Sequence, residues 1–154
     1  MITASVKLGK IIAILAVVLA VVGLSVWLFS LIFSQPTITG VVASDNEQRV
    51  AYLNDLGWEV EKEPNSSEQV LVPEVFDEIY EHYNSLQKES GFDLSDKKGQ
   101  TLKRFTWRVL NHPDAKPTDK VLAELLLNEN DEIVGGSIYS LRLDGFMTGL
   151  KRNK

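Results

Sequence analysis

The fold is decided by the stretch TLKRFTWRVLNHPDAKPTDKVLAELLLNENDEIVGGSIYS, residues 101–140. Apolar and polar side chains alternate along it, which is the period of a β-strand. The alternation predicts three strands, at residues 101–110, 121–128 and 132–140. A tight polar turn joins the last two strands and a long loop with two prolines joins the first two, so we expect two antiparallel hairpins.

Successive side chains of a strand point to opposite faces of the sheet, so odd-numbered and even-numbered positions can be assigned to the two faces. Pairing Trp107 with Leu125, and Leu127 with Ile133, keeps apolar residues together. Gly135 then lies across from Leu125 and leaves room beside the Trp107 ring. The predicted core face carries Phe105, Trp107, Val109, Ala123, Leu125, Leu127 and Ile133.

The opposite face is half polar. It holds Arg104, Thr106, Arg108 and Glu124 among Leu102, Leu110, Leu122, Leu126, Val134 and Ile138. Such a face needs a partial cover, from the first helix, from two early strands or from a bound molecule. Arg108 and Glu124 lie opposite each other in this register, so we expect a structural ion pair. If the face is open, Arg104, Arg108 and Glu124 form a candidate interaction face.

Two helices precede the three strands. Asp45 is a good N-cap with Gln48 three residues later, and Gly57 is a typical helix end, so these residues bound the first helix. Pro73 suits the first position of a second helix, which Gly91 ends. The sequence therefore predicts an α+β domain.

Short apolar segments complete this domain. Residues 58–61 and 70–72 are predicted as two early strands, which makes an antiparallel sheet of about five strands packed against two helices. Residues 144–147 either present Phe146 and Met147 to a partner or pack the open end of the core, and we expect the second. The basic tail, residues 151–154, is expected to be a frayed end.

A run of 23 residues without charge or proline, residues 11–33, stands near the start of the chain. At 1.5 Å per residue a helix of this length reaches roughly 35 Å, enough to cross a hydrocarbon core of about 30 Å. A cleaved signal peptide is the alternative, but its apolar region is usually shorter and is followed closely by small residues. We therefore expect an uncleaved transmembrane helix.

Lys7 and Lys10 stand just before this run, and the next basic residue after it is Arg49. The positive flank predicts a cytoplasmic N-terminus, residues 1–10, and an extracytoplasmic domain, residues 45–150, joined to the cell membrane helix by a linker, residues 34–44. Residues 34–154 carry 14 Lys and Arg against 21 Asp and Glu, a formal charge of −7. This charge argues against a nucleic-acid partner, and the absence of cysteine excludes disulfides and a thiol nucleophile.

The sequence assigns no catalytic, cofactor-binding or metal-ligating residue. Glu78 and His82 share a helix face and offer two metal ligands, fewer than a zinc site needs. His112 with Asp114 could complete such a site only if the long hairpin loop folded back. No phosphate-binding loop, nucleophile elbow or dinucleotide motif occurs.

The order of several short motifs resembles a family of small anchored bacterial domains catalogued as domain of unknown function 4830. The motifs are Leu56-Gly57-Trp58, Val72-Pro73, Phe76-Asp77, Tyr83-Asn84, Gly91-Phe92-Asp93-Leu94, the strand around Phe105, Leu143-Asp144-Gly145-Phe146-Met147 and Gly149-Leu150. The resemblance spans about residues 47–150. It implies a Gram-positive-type surface protein and carries over no assigned activity or catalytic residue.

These observations favour a single-pass membrane protein that binds an unknown protein, peptide or envelope ligand without catalysis. Its contact with the lipid bilayer is made by residues 11–33. Two alternatives stay open: a cell-envelope hydrolase that uses carboxylates, with or without His82, and an accessory subunit of a membrane complex.

Overall fold

The computed structural model describes residues 15–25, 40–116 and 118–152. The chain divides into two compact units, Met1–Gln35 and Pro36–Lys154. In the first unit, residues 15–25 form helix α1. The rest of the predicted span, residues 11–14 and 26–33, lies outside the described residues, as does the first part of the predicted linker. Among the described ranges we find no helix with the length and apolar content needed to cross a membrane.

The second unit is an α+β domain with one antiparallel sheet, as predicted. Its elements in chain order are α2 (Asn46–Asp55), β1 (Ser66–Leu71), α3 (Glu78–Glu89), a 3₁₀ helix (Leu94–Lys97), β2 (Thr101–Arg108), β3 (Val121–Leu127), β4 (Ile133–Ser140) and β5 (Met147–Gly149). Within the described residues the five strands are neighbours in the order β1-β2-β3-β4-β5.

Two of the strands differ from the sequence-based expectation. The segment at residues 58–61 makes only an isolated bridge, between Val60 and Val109. The chain then reaches β1, which takes the edge position beside β2 over six residues. The fifth strand is β5, which pairs with β4 at the end of the domain, where we expected a turn followed by apolar residues.

Local capping explains where the helices begin. The Asp45 side chain accepts a hydrogen bond from the Gln48 backbone N–H at 2.8 Å, which confirms the predicted start of α2. The N-cap of α3 is Asp77, whose side chain accepts a hydrogen bond from the Tyr80 backbone N–H at 2.8 Å. The predicted start at Pro73 is therefore wrong, because the residues between Pro73 and Asp77 form no helix.

The core face of the sheet is as predicted over β2 and β3. Trp107, Ala123, Leu125 and Leu127 are fully buried there, with Tyr52 and Leu53 of α2 in the same cluster. Phe105 packs at its margin, where the Arg49 guanidinium lies 4.0 Å from the ring centroid. Helix α2 therefore covers this face.

A β-bulge changes the faces along β4. Leu127 pairs with Ile133, as predicted, but Leu126 pairs with Gly135, so Val134 is an extra residue in the ladder. Beyond the bulge the parity is reversed, and Ile138 joins the core cluster instead of the opposite face. Gly135 likewise faces Leu126 and not Trp107.

The register between β2 and β3 is shifted by two residues from the predicted one. Trp107 pairs with Ala123, and Thr106 pairs with Glu124. The predicted pairing of Arg108 with Glu124 is therefore wrong, since Arg108 lies opposite Leu122. A shift of two preserves the faces, which is why the predicted core of these strands holds.

The opposite face is partly covered, but by α3 and the 3₁₀ helix instead of the first helix or the early strands. A second apolar cluster forms between them and the sheet. It consists of Val72, Leu94, Leu102, Leu126 and Val134, with Val70, Phe76, Tyr80 and Tyr83 packed against it. Leu122 is buried as well, whereas Leu110 is exposed.

The C-terminal segment docks against Trp58. The Trp58 indole N–H donates to the Leu150 carbonyl at 2.7 Å, and Leu150 is fully buried. Arg152 donates to the Gly57 carbonyl at 2.6 Å and lies over the Trp58 ring. The expectation of a frayed tail is therefore wrong as far as Arg152; residues 153 and 154 lie outside the described residues.

Candidate functional site

A cleft of about 400 Å³ lies on the α3 side of the sheet. We call it the sheet cleft. Its polar lining consists of Tyr80, Tyr83, Arg104, Glu124 and Tyr139, and its apolar lining consists of Val70, Leu71, Val72, Leu126 and Met147. The cleft exists because α3 covers only part of the half-polar face. Its size and its mixture of apolar walls with a few converging polar groups are typical of ligand sites.

Glu124 is the most buried charged group of this cleft. Its side chain is 6% exposed. The Oε1 atom accepts hydrogen bonds from the Tyr83 hydroxyl at 2.7 Å and from Ser137 Oγ at 3.0 Å. The Oε2 atom lies 3.6 Å from Arg104 Nη1 and accepts no hydrogen bond from any described residue. Oε1 of Glu124 thus accepts two hydrogen bonds, whereas Oε2 is held only by the charge contact with Arg104.

Arg104 is held between two carboxylates. Its Nη2 and Nε atoms donate to Glu68 Oε1 at 2.6 and 3.1 Å, and its Nη1 atom faces Glu124. The hydrogen bonding of the Arg104 guanidinium to the Glu68 carboxylate raises the pKa of Arg104 more than any other contact. This arrangement fixes the guanidinium at the edge of the cleft with its charge already balanced.

The tyrosine hydroxyls of the cleft stay protonated at neutral pH. Burial raises the pKa of Tyr83 far above its ordinary value, and the neighbouring Glu124 carboxylate raises it further. The same two causes raise the pKa values of Tyr80 and Tyr139. The three phenols are therefore neutral, and the Tyr83 hydroxyl donates to the Glu124 carboxylate.

The predicted interaction face is only partly assembled. Arg104 and Glu124 come together in the sheet cleft. Arg108 lies outside its lining, with its Nη1 atom 3.9 Å from Glu61 Oε1.

The two histidines lie in separate surroundings. Glu78 and His82 are both exposed on α3. His112 stacks on Phe146 with ring centroids 4.5 Å apart and on Trp58 at 5.6 Å. Burial lowers the pKa of His112. Within the part of the chain that the structure describes, no three His, Asp or Glu side chains are grouped as a metal site.

A larger depression, about 830 Å³, lies beside α2. The charged residues of its lining are Asp45, Glu47, Lys62 and Glu63, and all are exposed. A ligand there would have to compete with water for every charged contact. The sheet cleft, with a buried carboxylate, is therefore the stronger candidate.

Sequence reasoning missed three groups near Glu124. Ser137 and Tyr139 share its face only because the bulge reverses the parity of β4. The pair Gly135-Gly136 was the available signal, because glycine inside a strand often marks a bulge. Met147 reaches the cleft through β5, which forms only when the end of the chain returns to the sheet.

Comparison with known proteins gives one family. The model of DUF4830, a domain of unknown function, matches residues 52–138, which include Tyr83, Arg104 and Glu124. No curated protein and no solved structure matches the chain significantly. Since the family match covers more than half of the 154 residues, this chain belongs to the DUF4830 family.

Proposed function

We propose that this protein is anchored in the cell membrane by residues 11–33 and binds a ligand outside the membrane in the sheet cleft, without catalysis. The observation that carries the binding role is Glu124, a buried carboxylate in the lining of a cleft of about 400 Å³. A buried charge is costly unless it is compensated, and at Oε2 the compensation of Glu124 is a 3.6 Å ion pair with Arg104 without a hydrogen bond, so this oxygen can still accept one from a ligand.

The composition of the cleft favours binding over hydrolysis. Glu124 is the one carboxylate among the described lining residues, whereas glycoside hydrolysis by the usual route needs two that face each other. Ser137 donates to Glu124 but is fully buried, so its hydroxyl cannot attack a ligand in the cleft. His82 is exposed on α3 and is not part of the lining.

The membrane part of the proposal rests on the apolar run and its positive flank. We expect the full-length protein to stay with the membranes during alkaline carbonate washing, and added protease to remove a tag placed after Lys154 in cells whose wall has been digested. Replacing Val21 by arginine should weaken membrane retention, because a charge at the centre of a span costs about 2.5–3.5 kcal/mol. Release of a shortened, freely soluble form, or a protected tag, would contradict this topology.

Met147 provides a direct test of the cleft. The chain has two methionines, Met1 and Met147, so methyl-labelled methionine gives two NMR signals, and a Met147→Leu variant assigns them. In full-length protein in detergent micelles, small water-soluble fragments should shift the Met147 signal in a saturable way. We expect Val70→Trp to abolish these shifts by filling the cleft.

The matched control for this variant is Gln69→Trp. Gln69 is the neighbouring residue of β1, exposed and outside the cleft lining, so the same bulky side chain should leave fragment binding unchanged. Near-identical melting temperatures of the two variants would show that both fold. Failure of a diverse fragment set to shift Met147, or shifts that persist in Val70→Trp, would contradict a ligand site here.

A further inference from the structure

The charge group formed by Arg104 and Glu124 of the sheet cleft and by Glu68 beside its lining has a net negative charge. Arg104 supplies one positive charge, and the carboxylates of Glu68 and Glu124, which it contacts on either side, supply two negative charges. An anionic ligand would meet a guanidinium that is already paired twice. A cation would meet Glu124 Oε2, which accepts no hydrogen bond from a described residue and shares its charge contact with Arg104.

Three tyrosines line the cleft together with this carboxylate. The Tyr80 and Tyr83 rings lie edge to face, with centroids 5.5 Å apart and planes at 71°. Tyr139 lines the cleft from β4. The faces of such rings attract cations, lysine ammonium groups included.

The remaining wall is apolar. Val70, Leu126 and Met147 contribute aliphatic and thioether surface to the cleft. A ligand that combines an alkyl chain with a terminal positive charge would contact this wall along its chain and the carboxylate at its end. Neutral sugars and simple hydrocarbons would leave the excess negative charge of Glu68, Arg104 and Glu124 unmatched.

We infer that the sheet cleft binds a primary ammonium group on an alkyl chain, the chemistry of a lysine or other diamino-acid side chain in a peptide. This inference rests on the proposed role of the cleft as a ligand site. The ammonium lies against Glu124 Oε2 and the tyrosine rings, and the alkyl chain lies along Leu126 and Met147.

Two probes that differ only in the terminal ammonium group test this inference. Nα-acetyl-lysine methylamide carries the ammonium, and Nα-acetyl-norleucine methylamide carries the same straight chain without it. Both are titrated into full-length protein in detergent micelles, with the Met147 methyl signal as the readout. We expect the lysine probe to bind at least about tenfold more tightly, which is the effect of one favourable charge contact in a partly desolvated site.

Glu124→Gln keeps the size of the side chain and its acceptor oxygen for Tyr83 and Ser137. It should reduce the affinity for the lysine probe to that for the norleucine probe. Glu78→Gln removes the same charge from the exposed surface of α3 and should change neither affinity. Raising the ionic strength should weaken only the lysine probe, which tests the charge contact without any substitution.

The possible results distinguish the ammonium inference from the proposed function of the cleft as a ligand site. Equal binding of both probes would overturn the ammonium inference and leave the cleft as a site for apolar ligands. Fragments that shift Met147 while the lysine probe does not would also overturn it. Absence of any shift with probes and fragments alike would overturn the inference and the proposed function together.

Discussion

Replacing Trp58 by alanine is expected to lower the free energy of unfolding of the domain by about 3–5 kcal/mol, the usual cost of removing a large buried aromatic side chain. Trp58 is 4% exposed. Its indole donates to the Leu150 carbonyl, and its ring contacts His112 and Arg152. The substitution therefore removes packing and also the attachment of the C-terminal segment. Urea unfolding followed by the fluorescence of the remaining buried Trp107 measures the loss.

Trp58→Phe is the matched variant. It keeps an aromatic ring but leaves the Leu150 carbonyl without its donor, so the expected loss is about 1–3 kcal/mol. A loss below about 1 kcal/mol for Trp58→Ala would contradict the role of Trp58 in fastening the chain end. Equal losses for the two variants would mean that the indole N–H carries the whole effect.

Replacing Gly136 by alanine is expected to destabilise the domain by about 1–3 kcal/mol through overpacking. An added Cβ would lie 2.4 Å from the Glu124 carbonyl oxygen and 2.6 Å from Leu150 Cδ1. The first of these atoms belongs to the backbone of β3, so the strands must separate to relieve the contact. Thermal melting of the full-length protein should show a clear drop in the unfolding temperature.

Gly135→Ala is the control for this prediction. The nearest neighbours of its added Cβ are side-chain atoms of Gln87, Leu126 and Leu94, at 3.1, 3.1 and 3.3 Å. Side chains can move by a few tenths of an ångström, so this variant should lose less stability than Gly136→Ala. The reverse order would contradict the placement of the bulge at Val134.

The sequence predicted the sheet because alternation is strong in β2 and β3. It predicted the register only where the connection is short. The turn at residues 129–131 limits how β3 and β4 can pair, and the pairing of Leu127 with Ile133 is confirmed. The twelve residues between β2 and β3, residues 109–120, impose no such limit, so a shift by two was equally consistent with the pattern.

Other features depend on the rest of the chain. The Asp77 cap competes with Pro73 for the start of α3, and both are good start signals. β5 is three residues long with glycine at its end, too short to show alternation. Its position depends on contact with α3, where an added Cβ at Gly149 would lie 2.8 Å from the Leu86 carbonyl oxygen.

The candidate site was predictable in part. Parity places Arg104 and Glu124 on one face in either register, so their meeting follows from the strand pattern alone. Their partners do not follow from it. Tyr83 is contributed by α3, which covers a face that we did not expect it to cover. Tyr139 lies on the face of Glu124 because of the bulge in β4. A site whose residues come from several helices and strands is therefore the part that the pattern of a single sequence does not predict.

The docked C-terminal segment also bears on where the autonomous folding unit begins and ends. A fragment cut at the limits of the family match, residues 52–138, would start inside α2 and stop inside β4. It would retain Glu124 but lose Leu150, the hydrogen-bond partner of Trp58. At the other end it would lose Ala43, which is fully buried and whose carbonyl accepts from Arg49. The smallest piece suited to independent expression therefore extends from about Gly40 to Arg152, well beyond the range that sequence similarity alone would delimit.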